Sequence, residues 1–525
     1  MQRRDPSASL RRLMCGLALI LLVVRLAAPA LAQPTSSTPE YDWVIAGGRV
    51  IDPETGLDAL RHVGIRNGRI AALSETPLAG QHVLDARGHV VAPGFIDLHT
   101  HSPTRLGDTY QVQDGVTTAL ELEAGAFPVD RYAEPLTDGA RMNYGASVGY
   151  LSIRSEVKLG IRQPHIATPG AEALGWQGYW TMARSFFSNP GADVFREPAS
   201  PEEIDQLREK LREGLRAGGL GIGLPLDYFS EAAGDEELRM IFEVAAEEQV
   251  PVFVHVRRGV NGDPAGLEEA LGLAEATGAS LHVCHITHNA MRSIEGFLQA
   301  IREAQARGVD VTTEVLPYNA GSAPISSAVF SRNWQEIFAI DYEDVEWAAT
   351  GERFNEDMWN EYREKYPQGQ VIHHYLKDEW TRRGLMEPGV MVVSDLLPME
   401  TLDSKVAPHN GAFSRVLGRY ARDAGLMDLP TALAKMTWLP AKRLQDFAPA
   451  FKRKGRIQIG ADADITVFDP ARIIDRATYQ NPYQAPEGIR YVLVGGEPVV
   501  MEGELVEGVY PGRRLTAQTT LNESP

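Results

Sequence analysis

"VAPGFIDLHTHSP", residues 91–103, ends an apolar run in two histidines one residue apart. On a β-strand, residues i and i+2 project from the same face. Read as a strand, the run aims His99 and His101 in one direction, as two ligands of one metal ion require. Two surface histidines at a strand end give the same pattern, and an isolated H-x-H does not separate the readings. The rest of the chain has to decide.

Outward from this stretch, one rhythm repeats: a short β-branched run, a loop, then a helical segment. Eight runs fit a strand: "HVVAPGFIDLH" (89–99), "GVTTALELEAG" (115–125), "NYGASVGYLSI" (143–153), "GLGIGLPLDY" (219–228), "VPVFVHVRR" (250–258), "SLHVCHIT" (280–287), "VDVTTEVLPY" (309–318) and "GVMVVSDLLP" (389–398). Helical patterns separate several of them, including "SPEEIDQLREKLREGLRAG" (200–218) and "DEELRMIFEVAAEEQ" (235–249). Alternating β and α units imply an α/β fold with a parallel sheet. Eight units imply a TIM-like (β/α)8 barrel, whose active site lies at the C-terminal strand ends. There the chain places His99 and His101 (first run), Glu121 and Glu123 (second), His255 (fifth), His285 (sixth) and Asp395 (eighth). Three separate strands ending in His within apolar surroundings point to a metal site.

The flanks differ. "YDWVIAGGRVIDPETGLDALRHVGIRNGRIAALSE" (41–75) and "KGRIQIGADADITVFDP" (454–470) alternate short strands with Gly and Asn turns. Both chain ends, 33–92 and 450–515, are expected to pack as a small β-sandwich domain beside the barrel at 93–449. Residues 325–388, aromatic and acidic, are too long for an ordinary loop and are expected to cover the barrel mouth.

A 525-residue chain suits a large barrel with an accessory domain. Its net charge of −19 argues against nucleic acid and anionic membrane surfaces as partners. Residues 1–32 show the basic start, apolar run and "ALA" of an export signal, implying a periplasmic or secreted protein. The uncharged run from Leu13 to Val24 is too short to span a bilayer, so no membrane span is expected after cleavage. Of the two cysteines, Cys15 leaves with the leader, and Cys284 alone makes no intrachain disulfide. A homo-oligomer stays open.

The pieces "PGFIDLHTHS", "GVTTALELEAG", "NYGASVGYLSIR", "FVHVRRG", "VCHIT", "LPYNAGS", "VVSDLLP", "GAFSRVLGRYAR" and "GADADITVFDP", in this order, resemble the amidohydrolase superfamily. Within it the chain is most similar to the N-acyl-D-amino-acid deacylase (D-aminoacylase) family. The resemblance implies a divalent metal cofactor, one or two ions, most simply Zn2+. The residues matching His255 and His285 would hold the tighter metal with a bridging residue from the second strand. Those matching His99 and His101 would serve the other position, with Asp395 beside it.

Amide hydrolysis needs a hydroxide, a polarised carbonyl and a proton for the departing amine, all of which a metal and one general base supply. Asp395 is the expected base. The resembling family commonly bridges its metals with a cysteine, and Ala124 stands at that position here. Glu123 is the expected replacement, with Glu121 either a second ligand or a buried hydrogen-bond partner. A carboxylate bridge makes the site harder, so Mn2+, Co2+ or Fe2+ compete with Zn2+. Tyr318 matches a substrate-contacting tyrosine of the family, or is a packed core residue. The family's substrate-binding lysine is replaced by Thr287, and Arg257 is expected to supply the missing charge. His282 is expected to point outward, and Cys284 to face away from the site. The expected activity is metal-dependent hydrolysis of N-acyl-D-amino acids. Hydrolysis of another small-molecule amide is the alternative, and a binding protein without activity is a third.

Overall fold

The computed structural model describes residues 40–165, 172–173, 197–227, 230–399, 401–402 and 409–518. The expected export signal lies outside them. Among the described residues no helix is long and apolar enough to cross a membrane.

Eight strands form the central sheet: β1 (Phe95–Asp97), β2 (Val116–Ala126), β3 (Asn143–Gly149), β4 (Ile222–Pro225), β5 (Pro251–His255), β6 (Ser280–Val283), β7 (Val311–Val315) and β8 (Met391–Val392). Each pairs in parallel with its sequence neighbour. Beyond the strand ends, Asp395 N–H donates to His99 O and His101 N–H to Leu396 O, both at 2.8 Å, which closes the barrel between β8 and β1.

Each run read from the sequence contains one barrel strand, but the first contains two strands. Val90–Pro93 pairs with the chain-end sheet, and only Phe95–Asp97 with the barrel. Gly94 sits between them, where a Cβ would lie 2.2 Å from the Thr117 side chain. No other residue lets the chain pass so close to β2.

The strands alternate as their apolar pattern requires. Ile96, Leu98, Leu120, Phe253, Cys284 and Met391 pack in the barrel interior. Val252, Val254, Val283 and Leu224 face outward into the helix layer, of which Pro201–Arg216 and Asp235–Glu247 are part. The first of these helices starts at a capping box between Ser200 and Glu203, with Pro201 in its first turn. It buries Leu207, Leu211 and Leu215, each burial being worth about 2 kcal/mol.

Both chain ends meet in one nine-stranded mixed sheet. Ile45, Val50, Val63 and Ile65 from one end close a separate core with Ile465, Val467 and Leu493 from the other. Past Leu505 the tail leaves this sheet: Leu515 N–H donates to Tyr144 O at 2.7 Å, and Leu515 and Ala517 join the barrel interior cluster.

After β7 the chain makes a small subdomain. Gly321–Pro324, Gln370–His373, Val345–Trp347 and Glu352–Arg353 form an antiparallel sheet. Phe330, Trp334, Phe338, Phe354 and Trp359 give it an aromatic core. Its residues Ala323, Pro324, Val329 and His373 wall one side of a cavity of about 590 Å³ at the barrel mouth.

Candidate metal centre

The site sits where regular strand geometry stops. β1 ends at Asp97, and a bend at Leu98 precedes His99 and His101. The register of β2 against β3 is irregular between Glu121 and Ala126. His285, past the end of β6, takes φ +28°, and Asp395 takes φ +48°. Non-glycine residues in this region are strained and persist where surrounding structure holds them.

These departures bring six side chains together. His99 Nε2 and His101 Nε2 lie 3.1 Å apart. Glu123 reaches both histidine pairs at once. Its Oε1 is 2.9 Å from His255 Nδ1 and 2.8 Å from His285 Nε2. Its Oε2 is 3.2 Å from His99 Nε2 and 3.3 Å from His101 Nε2. Asp395 Oδ1 stands 3.5 Å and 3.3 Å from the same two nitrogens. Zn–N bonds of about 2.0–2.1 Å place tetrahedral ligand atoms roughly 3.4 Å apart, the spacing found here.

Carboxylates hold the rings from behind. His99 Nδ1 lies 2.6 Å from Glu314 Oε1, and His101 Nδ1 lies 2.7 Å from Glu121 Oε2. A carboxylate behind a histidine fixes its tautomer and leaves Nε2 for a metal. Glu314 also contacts His282 Nε2 at 2.9 Å, and Glu121 contacts His165 Nε2 at 2.5 Å. Burial works against ionised Glu121 and Glu314, yet the facing histidines overcome it and bring both to about 2. Burial likewise opposes a charged His99, but Glu123, Asp395 and Glu314 hold its proton affinity well above the ordinary imidazole range. The same cluster holds Asp395 far below the usual carboxylate range against its own burial, so it stays ionised. A buried group of imidazoles and carboxylates this dense calls for cationic charge, and the donor set fits one or two divalent metal ions.

Glu121 stands behind His101, bonded to His165, with its Oε1 accepting from Ala124 N–H at 3.0 Å. His282, expected to point outward, points inward to Glu314, and Cys284 also faces the interior. Its Sγ belongs to a group with His99 and Glu314 whose ligand atoms all lie within 4.8 Å of one another. The alternation of β6 puts His282 and Cys284 on the inner face; it is His285, beyond the strand, that departs from it.

Two substrate residues expected from the sequence are placed elsewhere. Arg257 points to the helix layer, donating to Glu269 Oε1 and to the carbonyl of Ala233, both at 2.6 Å. The next residue, Arg258, lines the cavity instead. Tyr318 is 2% exposed, stacks on His409 with ring centroids 5.4 Å apart, and donates to Asn410 O at 3.4 Å. It is a packed core residue. Thr287 is fully buried, and its methyl lies 2.8 Å from where a Cβ on Gly384 would stand.

Reading the sequence alone missed Glu314, His165, Asp227 and Arg258. Glu314 had a visible signal: a carboxylate inside the seventh β-branched run, as Glu123 is in the second. His165 lies in a loop and had none. His409, set aside in the sequence, lines the cavity and lies with Nδ1 2.6 Å from Asp395 O.

A (β/α)8 barrel with a histidine–carboxylate cluster at its C-terminal mouth is the architecture of metal-dependent hydrolases. The comparisons agree. The profile of the amidohydrolase family matches residues 182–500. A D-aminoacylase of Alcaligenes xylosoxydans xylosoxydans is 30% identical over 514 residues, 91% of this chain and 98% of the relative. An N-acyl-D-glutamate deacylase of the same organism is 29% identical over 511 residues, 93% of this chain and 99% of the relative. Among solved structures, N-acyl-D-glutamate deacylase from Bordetella bronchiseptica, complexed with zinc and a phosphonate inhibitor, superposes with TM-score 0.71 at 25% identity. That match covers 91% of this chain and all of the other. The chain belongs to the amidohydrolase family and is a metal-dependent hydrolase acting on C–N bonds.

Proposed function

We propose that the chain hydrolyses the amide bond of N-acyl-D-amino acids. The observation that carries this reading is Glu123, whose two carboxylate oxygens each face one histidine pair. Likeness over nearly full length to two deacylases of N-acyl-D-amino acids supports the substrate class.

His99, His101, His255, His285 and Glu123 would hold the metal, with Asp395 at its edge. When bound, the metal lowers the pKa of a water and polarises the scissile carbonyl. Asp395 is the base: its ionised Oδ1 takes the proton of the attacking water and passes it to the leaving nitrogen as the C–N bond breaks. Glu314 and Glu121 hold the two rings from behind, and the subdomain after β7 walls one side of the cavity. Zn2+ is the favoured ion, and the hard carboxylate oxygens of Glu123 would keep Mn2+, Co2+ and Fe2+ in competition. The leader at residues 1–32 supports a site of action outside the cytoplasm.

The test is hydrolysis of paired N-acetyl-D- and N-acetyl-L-amino acids, with and without a chelator, on protein of measured metal content. Chelator-sensitive cleavage of the D-series alone is expected. No cleavage of either series by metal-loaded protein would reject this substrate class and favour the second reading, another amide, which the burial of Thr287 at the lysine position supports.

A further inference from the structure

We propose that Asp227 and Arg332 are positioning residues of the metal centre, through which docking of the subdomain after β7 and metal binding at His255 strengthen each other. The proposal rests on the metal centre described above and not on which amide is cleaved.

Three histidines of the centre have a carboxylate behind them. His99 has Glu314 and His101 has Glu121. His255 has Asp227, whose Oδ2 stands 3.5 Å from Nε2, the ring nitrogen opposite the one facing Glu123. Each carboxylate has a further partner on its far side. For Glu314 and Glu121 these are His282 of β6 and His165 of the loop between β3 and β4. For Asp227 it is Arg332, which donates to Oδ1 at 2.7 Å and to Oδ2 at 2.9 Å. Of the three relays, this one ends in a permanent cation, and that cation belongs to the subdomain.

The barrel supplies the carboxylate and the subdomain supplies the guanidinium. Asp227 lies two residues past β4, and Leu226 N–H donates to His255 O at 3.0 Å, which sets the carboxylate beside that ring. Arg332 lies between Phe330 and Trp334 of the aromatic core, so it reaches Asp227 only while that core sits on the barrel. The same junction is held by Asn261 N–H, which donates to Ile337 O at 2.9 Å, and by Arg258, 5.2 Å from the Phe338 ring centroid. Arg258 and Asn261 belong to the loop that follows β5, the strand that ends in His255.

Asp227 is 1% exposed, so its neighbours rather than water decide where its oxygens point. The bidentate Arg332 fixes both of them, with Oδ2 towards His255. An ionised acceptor at Nε2 keeps the proton on that side of the ring and leaves Nδ1 for a cation. With Arg332 removed, the Arg258 guanidinium, 3.6 Å from Oδ2, is left to draw the carboxylate away from His255, and metal binding there weakens. Charge alone acts in the opposite direction, because losing a nearby cation strengthens a site for cations. The sign of the change therefore tells positioning from plain electrostatics. Linkage makes the coupling reciprocal: what docking of the subdomain adds to metal affinity, the metal returns to docking.

The experiment uses the full chain, stripped of metal and titrated with Zn2+ against a chromophoric chelator, with circular dichroism confirming the fold of each variant. Asp227→Asn should weaken one Zn2+ position by about 10- to 100-fold. Arg332→Gln should weaken the same position, Arg332→Lys less so, and the double variant no more than Asp227→Asn alone. Arg353→Gln, in the same subdomain but paired at the surface with Glu346, should stay within about twofold of wild type. Hydrogen exchange over residues 325–388 should slow on Zn2+ addition in wild type and not in Arg332→Gln. Tighter Zn2+ binding in Arg332→Gln, or unchanged binding in folded Asp227→Asn, overturns the positioning role. A loss in Arg353→Gln as large as that in Arg332→Gln overturns it too, since the cause is then a loosened subdomain and not the Asp227 contact. Zn2+-dependent protection that survives Arg332→Gln overturns the coupling. Each of these results leaves the metal centre standing, whereas wild-type protein that binds no Zn2+ overturns the centre and the proposal together.

Discussion

Glu314→Gln isolates the electrostatic work of the carboxylate behind His99. Glutamine has the same length, and its Oε1 still accepts from Nδ1–H of His99 where the carboxylate oxygen stood at 2.6 Å. What changes is the charge, together with the group facing His282 Nε2, where an NH2 replaces the carboxylate oxygen at 2.9 Å. Both side chains are 1% exposed, so water does not make up the loss. A hydrogen bond to an ionised acceptor is worth about 1.5–3 kcal/mol and a neutral one about 0.5–1.5 kcal/mol. The difference, about 1–1.5 kcal/mol, is strength that His99 passes to a metal through a more basic Nε2. It predicts metal affinity lowered by about 5- to 15-fold, near the lower end of what loss of such partners does elsewhere. The assay is equilibrium competition against a chromophoric chelator, with circular dichroism and Tm confirming the fold. An affinity within twofold of wild type would refute the claim that Glu314 tunes His99. A loss beyond about ten-thousand-fold would refute it from the other side, making Glu314 a ligand itself, within the group that also holds Cys284.

Asp395→Asn should retain metal and lose about 10²–10⁴-fold in turnover; metal analysis and kcat on one sample check it, and an undiminished rate removes Asp395 from proton transfer. Glu123→Ala should empty at least one metal position while Glu121→Ala lowers affinity more mildly, since only Glu123 faces both histidine pairs; metal stoichiometry decides, and the reverse order would move the bridge to Glu121. Lys435, 3% exposed with its ammonium on the carbonyls of Glu387 and Val390, is pulled down to about 8 by burial. Above that pH the unfolded chain still holds the proton that the folded chain has released. The free energy of unfolding should therefore gain about 2 kcal/mol from this group between pH 8 and 9.5, and denaturant titrations of Lys435→Met should lack that rise.

The barrel was legible because eight β-branched runs at one rhythm admit few other folds, and the polar residues ending those runs marked the mouth. What misled was the assumption that strand alternation carries through to the site. It places His282 and Cys284 correctly only if β6 stays regular with its inner face on those two residues. His285 was then inferred to share the inner face, when it reaches the metal centre through φ +28° after the strand has ended. Arg257 failed for a related reason. Two residues past His255 the chain has left β5, the two-residue period no longer applies, and Arg258 is the one facing the cavity.

Glu314 and Glu121 show what no single run discloses. Glu314 lies 215 positions from His99, and Glu121 20 positions from His101, yet each stands behind one ring of the H-x-H pair. Two histidines alone leave open whether they bind metal. Two histidines whose Nδ1 atoms are both occupied by buried carboxylates have only Nε2 left, and those atoms converge at 3.1 Å with Glu123 and Asp395 close by. Two Nε2 atoms facing each other at that distance, with oxygens of Glu123 and Asp395 beside them, are the donor set of a shared cation. The ambiguity of H-x-H in the sequence is thus resolved by the residues behind the rings, which the chain brings there only by closing the barrel.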